Sequence, residues 1–393
     1  MSRKSAAGAP SRIQTTTAAE EMGLLFPVLF LVGVGVVAVY SASSALALKR
    51  FGTEYFFLKR QAAYALLGIL ALAAARNVPI PLLRTASYPL LAAALLFLAA
   101  TRIPGIGVAA GGSARWLRLG PLTFQPSEFA RFALVLFLAY SMSKKLDRLD
   151  RFSIGFLPHL LVLGLFCALL YLQPDFGSVV IFSAITWIMM FAAGVRLRHL
   201  VSILIPVLPL GVYLLLHAEY RVRRILSFLN PWDFPSEEGY QVIHSLLAFG
   251  TGGIWGSGLG KGYQKLFYLP EPHTDFIFSV IGEELGLLGV LLIVGLYVII
   301  VWKGILISRR ASNPFCAFTA LGITVSMGIQ TCVNMGVAMG LLPTKGLTLP
   351  FLSYGGTSLV VNMAAIGLLL NIAAAAHRES RPPAGAGKRS RTT

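Results

Sequence analysis

Residues 276–302 read FIFSVIGEELGLLGVLLIVGLYVIIVW. A helix needs about 20 mostly apolar residues to cross the hydrocarbon core of a bilayer, and this run supplies more. Outward from it, comparable runs begin near Gly23, Gln61, Pro81, Pro126, Ile154, Ser178, Leu200, Pro314 and Thr357. The chain therefore reads as an all-α polytopic integral membrane protein of about ten transmembrane helices. Composition agrees: 56% of the 393 residues are hydrophobic and 12% are charged, about half the charge of an ordinary soluble domain. Such a chain is not disordered, a class that combines low hydrophobicity with high charge. The three cysteines, Cys167, Cys316 and Cys332, all lie in apolar runs and build no disulfide scaffold. A net charge of +17 could suit nucleic acid, but so apolar a chain points to the membrane instead.

Basic residues set the orientation. With the N-terminus inside, the inner segments carry Arg3, Lys4 and Arg12, then Arg76 and Arg84, then Lys144, Lys145, Arg148 and Arg151. Arg196 and Arg198 follow, then Lys303, Arg309 and Arg310, and a tail with Arg378, Arg381, Lys388, Arg389 and Arg391. Lys49, Arg50, Lys59 and Arg60 beside the first outside loop weaken the bias. An even number of spans puts both basic tails on one side, so a multi-pass N-in, C-in topology is expected. Residues 1–21 and 378–393 are rich in small residues and arginine and are expected to be disordered tails flanking a membrane domain over 22–377. No cleaved signal peptide is expected, because the first apolar run is too long and no soluble domain follows it.

On this topology a large extracytoplasmic loop occupies residues 218–275, between helices 7 and 8, with shorter outside segments at 102–125 and 341–354. The large loop opens with Arg221, Arg223 and Arg224 and ends in Pro270–Glu271–Pro272–His273–Thr274–Asp275. Three arginines within four residues run against the orientation bias; they are either solvated or suited to an anionic headgroup or pyrophosphate. The glycines between 250 and 262 read as tight turns and close helix contacts. No strand precedes them, and Lys261 is followed by Gly262 rather than Ser or Thr, so they form neither a Rossmann turn nor a P-loop. Six scattered histidines without H-E-x-x-H, and no G-x-S-x-G, speak against zinc and serine hydrolases.

Ionisable groups at membrane depth are costly and usually functional. Glu128 and Arg131 share a face of the helix that Pro126 opens, either as a structural ion pair or as cavity groups. Asp175, in Gln173–Pro174–Asp175–Phe176–Gly177, is either a helix cap or a cavity group. Asp275 starts a helix directly below the long loop, with Glu271 and His273 crowding the same mouth. Glu283 and Glu284 fall deeper in that helix and are expected to find structural partners.

Taken together these segments resemble the SEDS family (shape, elongation, division and sporulation), polytopic peptidoglycan glycosyltransferases that include RodA and FtsW. The resemblance runs from about Leu24 to Ala376 and rests on Ala114–Arg115–Trp116 with Leu119–Gly120, Phe124–Gln125–Pro126–Ser127–Glu128, Gln173–Pro174–Asp175 and Asn230–Pro231–Trp232. It continues in Leu269–Pro270–Glu271–Pro272–His273–Thr274–Asp275–Phe276, Glu283–Glu284–Leu285–Gly286, Leu341–Leu342–Pro343–Thr344–Lys345–Gly346–Leu347 and Ser353–Tyr354–Gly355–Gly356. The version Pro343–Thr344–Lys345–Gly346 and the long N-terminal tail are similar to the division branch, FtsW. Arg131 stands where many members have Lys, keeping the charge but changing reach and hydrogen-bond geometry. Pro272 stands where Ala or Gln is common.

The resemblance implies a reaction that joins a lipid-linked glycan strand to lipid II through a β-1,4 bond, with inversion, at the outer face of a bacterial cytoplasmic membrane during septal wall synthesis. It implies Asp275 as the essential acid and general base. Arg115, Arg118, Arg221, Arg223, Arg224, Lys265 and Lys345 are candidates for pyrophosphate contact, and Glu128, Arg131, Asp175 and His273 for lining the cavity. No tightly bound cofactor is implied; a divalent cation (Mg2+ or Mn2+) could bridge the pyrophosphate, though no protein ligand set is evident. A class B penicillin-binding protein, the septal transpeptidase, is the implied partner, along with other division proteins; nucleic acid is not. A lipid II flippase, a RodA-like elongation polymerase and a scaffold for the transpeptidase are the competing readings.

Overall fold

The computed structural model describes residues 12–110, 113–120, 122–217, 219–236, 239–266 and 269–379. The expected tails at 1–11 and 380–393 lie outside the described residues. Helices α1 (Arg12–Phe51), α2 (Phe56–Arg76) and α3 (Ile80–Ala100) precede a small sheet, which is followed by α4 (Pro126–Lys144), α5 (Leu157–Leu172) and α6 (Phe176–Ala192). Then come α7 (Leu197–Ser202), α8 (Leu204–Leu216), α9 (Glu219–Leu229) and α10 (Tyr240–Gly252), and finally α11 (Ile277–Arg310), α12 (Pro314–Ala338) and α13 (Gly356–Glu379). Among the described residues seven helices are long and apolar enough to cross a membrane: Glu21–Phe51, Phe56–Arg76, Ile80–Ala100, Phe152–Leu172, Ile277–Arg310, Pro314–Ala338 and Gly356–Arg378. Two shorter apolar helices span Phe176–Ala192 and Leu197–Tyr213.

Local chemistry sets many of the helix ends. Pro126 and Pro314 occupy first turns, where a missing N–H costs nothing. Asn313 caps α12 by accepting from the Cys316 N–H at 3.0 Å. At the end of α2, Asn371 of α13 donates to the carbonyls of Ala75 and Val78, at 3.3 and 2.6 Å, satisfying groups the helix leaves unpaired.

Two expectations are corrected. The chain is not all-α: β1 (Gly107–Ala110), β2 (Ser113–Leu119) and β3 (Leu122–Phe124) form an antiparallel sheet in the order β1-β2-β3. Strands this short carry little periodic signal, and residues 102–125 read as a plain outside loop. The N-terminal helix also begins at Arg12, inside the segment expected to be a tail.

The segment read as a large outside loop is partly clasped against α11, and its glycines make close helix contacts there. Ser245 of α10 meets Ser279, Phe249 meets Phe278, and residues 253–258 reach Glu283 to Leu288, so α10 runs in the same direction as the first half of α11. There α11 is broken at Gly286, whose φ of 65° is open to glycine but strained for other residues. The broken backbone is satisfied from the loop: Ser257 and Gly258 donate to the Glu283 and Glu284 carbonyls, and Leu287 and Leu288 donate to those of Gly253 and Ile254. An irregular backbone at membrane depth needs such internal partners.

Glu283 and Glu284 find the structural partners expected of them. The Glu283 carboxylate accepts the Tyr263 and Gln264 N–H groups at 2.7 and 3.2 Å. Glu284 accepts from Lys265 Nζ and from Ser41 Oγ, both at 2.6 Å, and Lys265 also donates to Ser41. Lys265, 8% exposed, is thereby committed to tying the loop to α1 and α11.

Candidate active site

At the end of the bundle where α1 finishes and α4, α6, α11 and α13 begin, several connecting segments meet around a cavity of about 300 Å³. Arg115 of β2, the Pro174–Asp175–Phe176–Gly177 turn, Arg224 of α9 and the Pro343–Thr344–Lys345–Gly346 loop line it. A neighbouring cavity of about 420 Å³ shares Arg224 and Thr344 and adds Arg223, Tyr240 and Gln241. The Arg221 side chain is not among those described.

Strand geometry selects between the two arginines of β2. Across β1, Val108 pairs with Trp116 and Ala109 with Ala114, so Arg115 is the extra residue of a β-bulge, which re-aims its side chain, whereas Arg118 lies in regular pairing opposite Thr123 of β3. Arg115 turns to the cavity and donates from Nη2 to the Pro174 carbonyl at 2.6 Å, whereas Arg118 is exposed and does not line it. For the strand polymerisation that the resemblance implies, Arg115→Ala should lower the rate by about tenfold or more, the worth of one charged hydrogen bond, and Arg118→Ala should leave it within about twofold. Rates of strand formation by the two purified variants check this.

Asp175 is a helix cap that also lines the cavity: Oδ1 accepts the Ser178 N–H at 3.2 Å and Oδ2 accepts the Ser178 hydroxyl at 2.7 Å. The alkyl chain of Lys345 lies against Gly177, and its Nζ is 5.8 Å from the centre of the Phe176 ring. Burial pulls the Lys345 ammonium below the usual lysine range; the Asp175 carboxylate opposes this and the Arg224 charge adds to it. A cation so poorly solvated gains from an entering anion.

Asp275 stands just before Phe276, the N-cap of α11, and its carboxyl lies against Gly346. A Cβ placed on Gly346 would stand 3.2 Å from Oδ2. Burial pushes Asp275 up to about 7; Glu271 pushes the same way, and the Thr274 hydroxyl and the Arg115 charge oppose them. Its backbone carbonyl accepts from Asn334 of α12 at 3.0 Å. Gly346→Ala is expected to displace the carboxyl by a few tenths of an ångström; with Asp275 as the base that the resemblance implies, this should cut turnover by about tenfold and leave substrate affinity little changed, since small misplacements of a reacting group cost rate steeply. A KM-against-kcat comparison reads it.

Other candidates stand apart from this cluster. His273 is 4% exposed, its ring 4.5 Å from that of Phe57 and 5.6 Å from that of Tyr354. Burial, reinforced by the Arg50 charge, pulls it down to about 4, so it is neutral at pH 7 and offers no cation to a pyrophosphate. Its carbonyl accepts the Tyr354 N–H at 2.8 Å, which ties the Asp275 segment to the start of α13. Glu128 and Arg131 form a buried ion pair at 2.7 Å, away from the cavity, and Arg131 also donates to Gln330. Lys265 serves the α11 clasp described above. Missing from the sequence reading were Gln330 and Asn334, while Gly346 entered it only within a motif; the two amides lie four residues apart within an apolar helix, a spacing that marks one face.

Comparison with known proteins agrees with this architecture. The family model for cell cycle proteins of the FtsW, RodA and SpoVE group matches residues 22–378. A probable peptidoglycan glycosyltransferase FtsW from Geobacter metallireducens is 48% identical over 338 residues, covering 86% of this chain and 90% of the relative. Stage V sporulation protein E from Bacillus subtilis is 40% identical over 358 residues, covering 91% and 98%. Among solved structures, a chain of a peptidoglycan synthase complex, described as coordinating polymerization and crosslinking, matches with a TM-score of 0.74 at 30% identity, covering 91% of this chain and 97% of its own. The rod shape determining protein RodA of Thermus thermophilus matches with a TM-score of 0.66 at 30% identity, covering 91% and 96%. With the family model spanning nearly all of the apolar core and the helical fold shared with these structures, the chain belongs to the FtsW, RodA and SpoVE family of cell cycle proteins.

Proposed function

We propose that the chain is a peptidoglycan glycosyltransferase that polymerises lipid II into β-1,4-linked strands at the outer face of the cytoplasmic membrane, in septal wall synthesis. The observation that carries this reading is a carboxylic acid poised near neutral pH, Asp275, beside a cavity lined by Arg115, Arg224 and Lys345. The acceptor 4-hydroxyl oxygen attacks the anomeric carbon of the lipid-linked donor. Asp275 takes the hydroxyl proton as that bond forms, and the polyprenyl pyrophosphate leaves from the opposite face, which inverts an α-linked donor to a β-linked product. The three cations balance the charge that builds on the departing pyrophosphate. We assign this charge balance to these three cations; a divalent cation (Mg2+ or Mn2+) held mainly by the pyrophosphate would add to it.

The topology that fits this chemistry has ten spans, N-in and C-in, with residues 218–275 between the seventh and eighth on the outer side. A class B penicillin-binding protein is the crosslinking partner, because a polymerase at the septum must hand its strands to a transpeptidase. The test is polymerisation of purified lipid II by the solubilised protein together with that partner. Long strands are the expected product; translocation of lipid II in liposomes without polymer would replace this reading with a flippase.

A further inference from the structure

The Asp275 segment and the loop after α12 are both irregular, yet the proposed chemistry needs them in register. Irregular segments are mobile unless a rigid element holds them. Asn334, 1% exposed, lies in the last turns of α12, and its single amide nitrogen donates to two carbonyls, that of Asp275 at 3.0 Å and that of Leu347 at 2.5 Å. Both partners are acceptors only, so the amide has one possible orientation. That orientation leaves Oδ1 buried with no hydrogen-bond partner among the described residues. An orphaned buried acceptor is costly, so it is the two donated bonds that give the side chain its value here.

One turn earlier on the same face, Gln330 repeats the device. Its Nε2 donates to the Thr348 carbonyl at 2.9 Å, and its Oε1 accepts from Arg131, which is paired with Glu128. The Thr348 hydroxyl in turn donates to Ser358 at the start of α13. Two rungs on α12 thus hold the loop that carries Lys345 and Gly346, and the upper rung also holds Asp275. The buried Glu128–Arg131 pair anchors the lower rung from α4 without reaching the cavity.

We propose that Asn334 is a positioning residue for glycosyl transfer, locking Asp275 and the Lys345 loop into one rigid unit, with Gln330 and the Glu128–Arg131 pair as its support. The inference rests on Asp275 being the base. Loss of the amide leaves the cavity's cations in place, so lipid II still binds, but base and loop no longer share a fixed separation. Freed from α12, the Asp275 segment also admits water, which relieves the desolvation acting on its carboxyl.

The experiment compares full-length wild type, Asn334→Ala, Asn334→Ser and Asp275→Asn, each with the transpeptidase partner, for kcat, KM for lipid II, the pH dependence of kcat and thermal stability. Asn334→Ala is expected to lower kcat by about 10- to 100-fold, the cost of misplacing a reacting group. KM should stay within about twofold, the melting temperature should hold, and the acid limb should move down from its wild-type position. Asn334→Ser retains one donor, should fall between the two, and serves if the Ala variant does not fold. An unchanged kcat, a change in KM alone, or a loss that follows melting temperature with the acid limb in place would overturn the proposal. Wild-type polymerisation by Asp275→Asn would instead remove the reading on which it rests.

Discussion

Asp275→Asn is expected to lower lipid II polymerisation by about 10²- to 10⁴-fold, the usual contribution of a general base, while leaving the folded protein at least as stable. The two effects share one cause. Burial raises the pKa of Asp275 to about 7, so on the proposed mechanism the carboxyl can take a proton near neutrality, and its ionised form is disfavoured by the fold. In the unfolded chain the same carboxyl ionises in the ordinary carboxylate range. Its contribution to stability is therefore full below that range, is lost as pH rises towards about 7, and is flat above. Asn carries no charge to desolvate, so the variant should melt no lower than wild type at pH 8 and match it at pH 4. In the wild type, kcat should climb with pH up to about 7 and then level. Equal polymer from both proteins would remove Asp275 as the base. A variant that loses activity and melting temperature together at pH 8 would show that the carboxylate holds the fold rather than the reaction.

The second large effect is on folding and lies away from the cavity. Lys265→Met should destabilise the protein by about 3–5 kcal/mol, because it leaves the Glu284 carboxylate, 3% exposed, without its cation. The loss should appear as a lower melting temperature and reduced yield in membranes. Joining it to Glu284→Gln should recover most of the stability, since removing both charges also removes the uncompensated one. A double variant as unstable as the single one would mean that loop packing, not charge, dominates at the clasp. The loop that Lys265 fastens leads directly into the Asp275 segment, so the single variant should lose activity as well.

Identical residue types proved to have different fates, and only packing separated them. Arg115 and Arg118 are indistinguishable in a list of basic residues, but Arg115 sits at a bulge of β2 and lines the cavity, while Arg118 lies in regular pairing and does not. Lys265 and Lys345 both looked suited to a pyrophosphate; one is neutralised by Glu284 and the other is partly buried at the cavity wall. His273 is close to Asp275 in sequence, yet aromatic burial makes it a neutral wedge.

The sequence by itself determined the membrane class, the helical architecture and the segments that carry the polar chemistry, because apolar runs and helix-start residues act locally and are counted along one dimension. It also offered Asp275 as one of four charged places, between a long loop and an apolar run, and the resemblance preferred it. Only the tertiary structure decided which charges meet. The Glu284–Lys265–Ser41 cluster joins residues 224 and 243 apart in sequence, and the Arg131–Gln330 contact joins residues 199 apart. The break at Gly286 and the amide of Asn334 have meaning only through the backbone groups of distant segments that they satisfy. Pairing across such separations depends on which helix faces come together, and a one-dimensional pattern does not encode that.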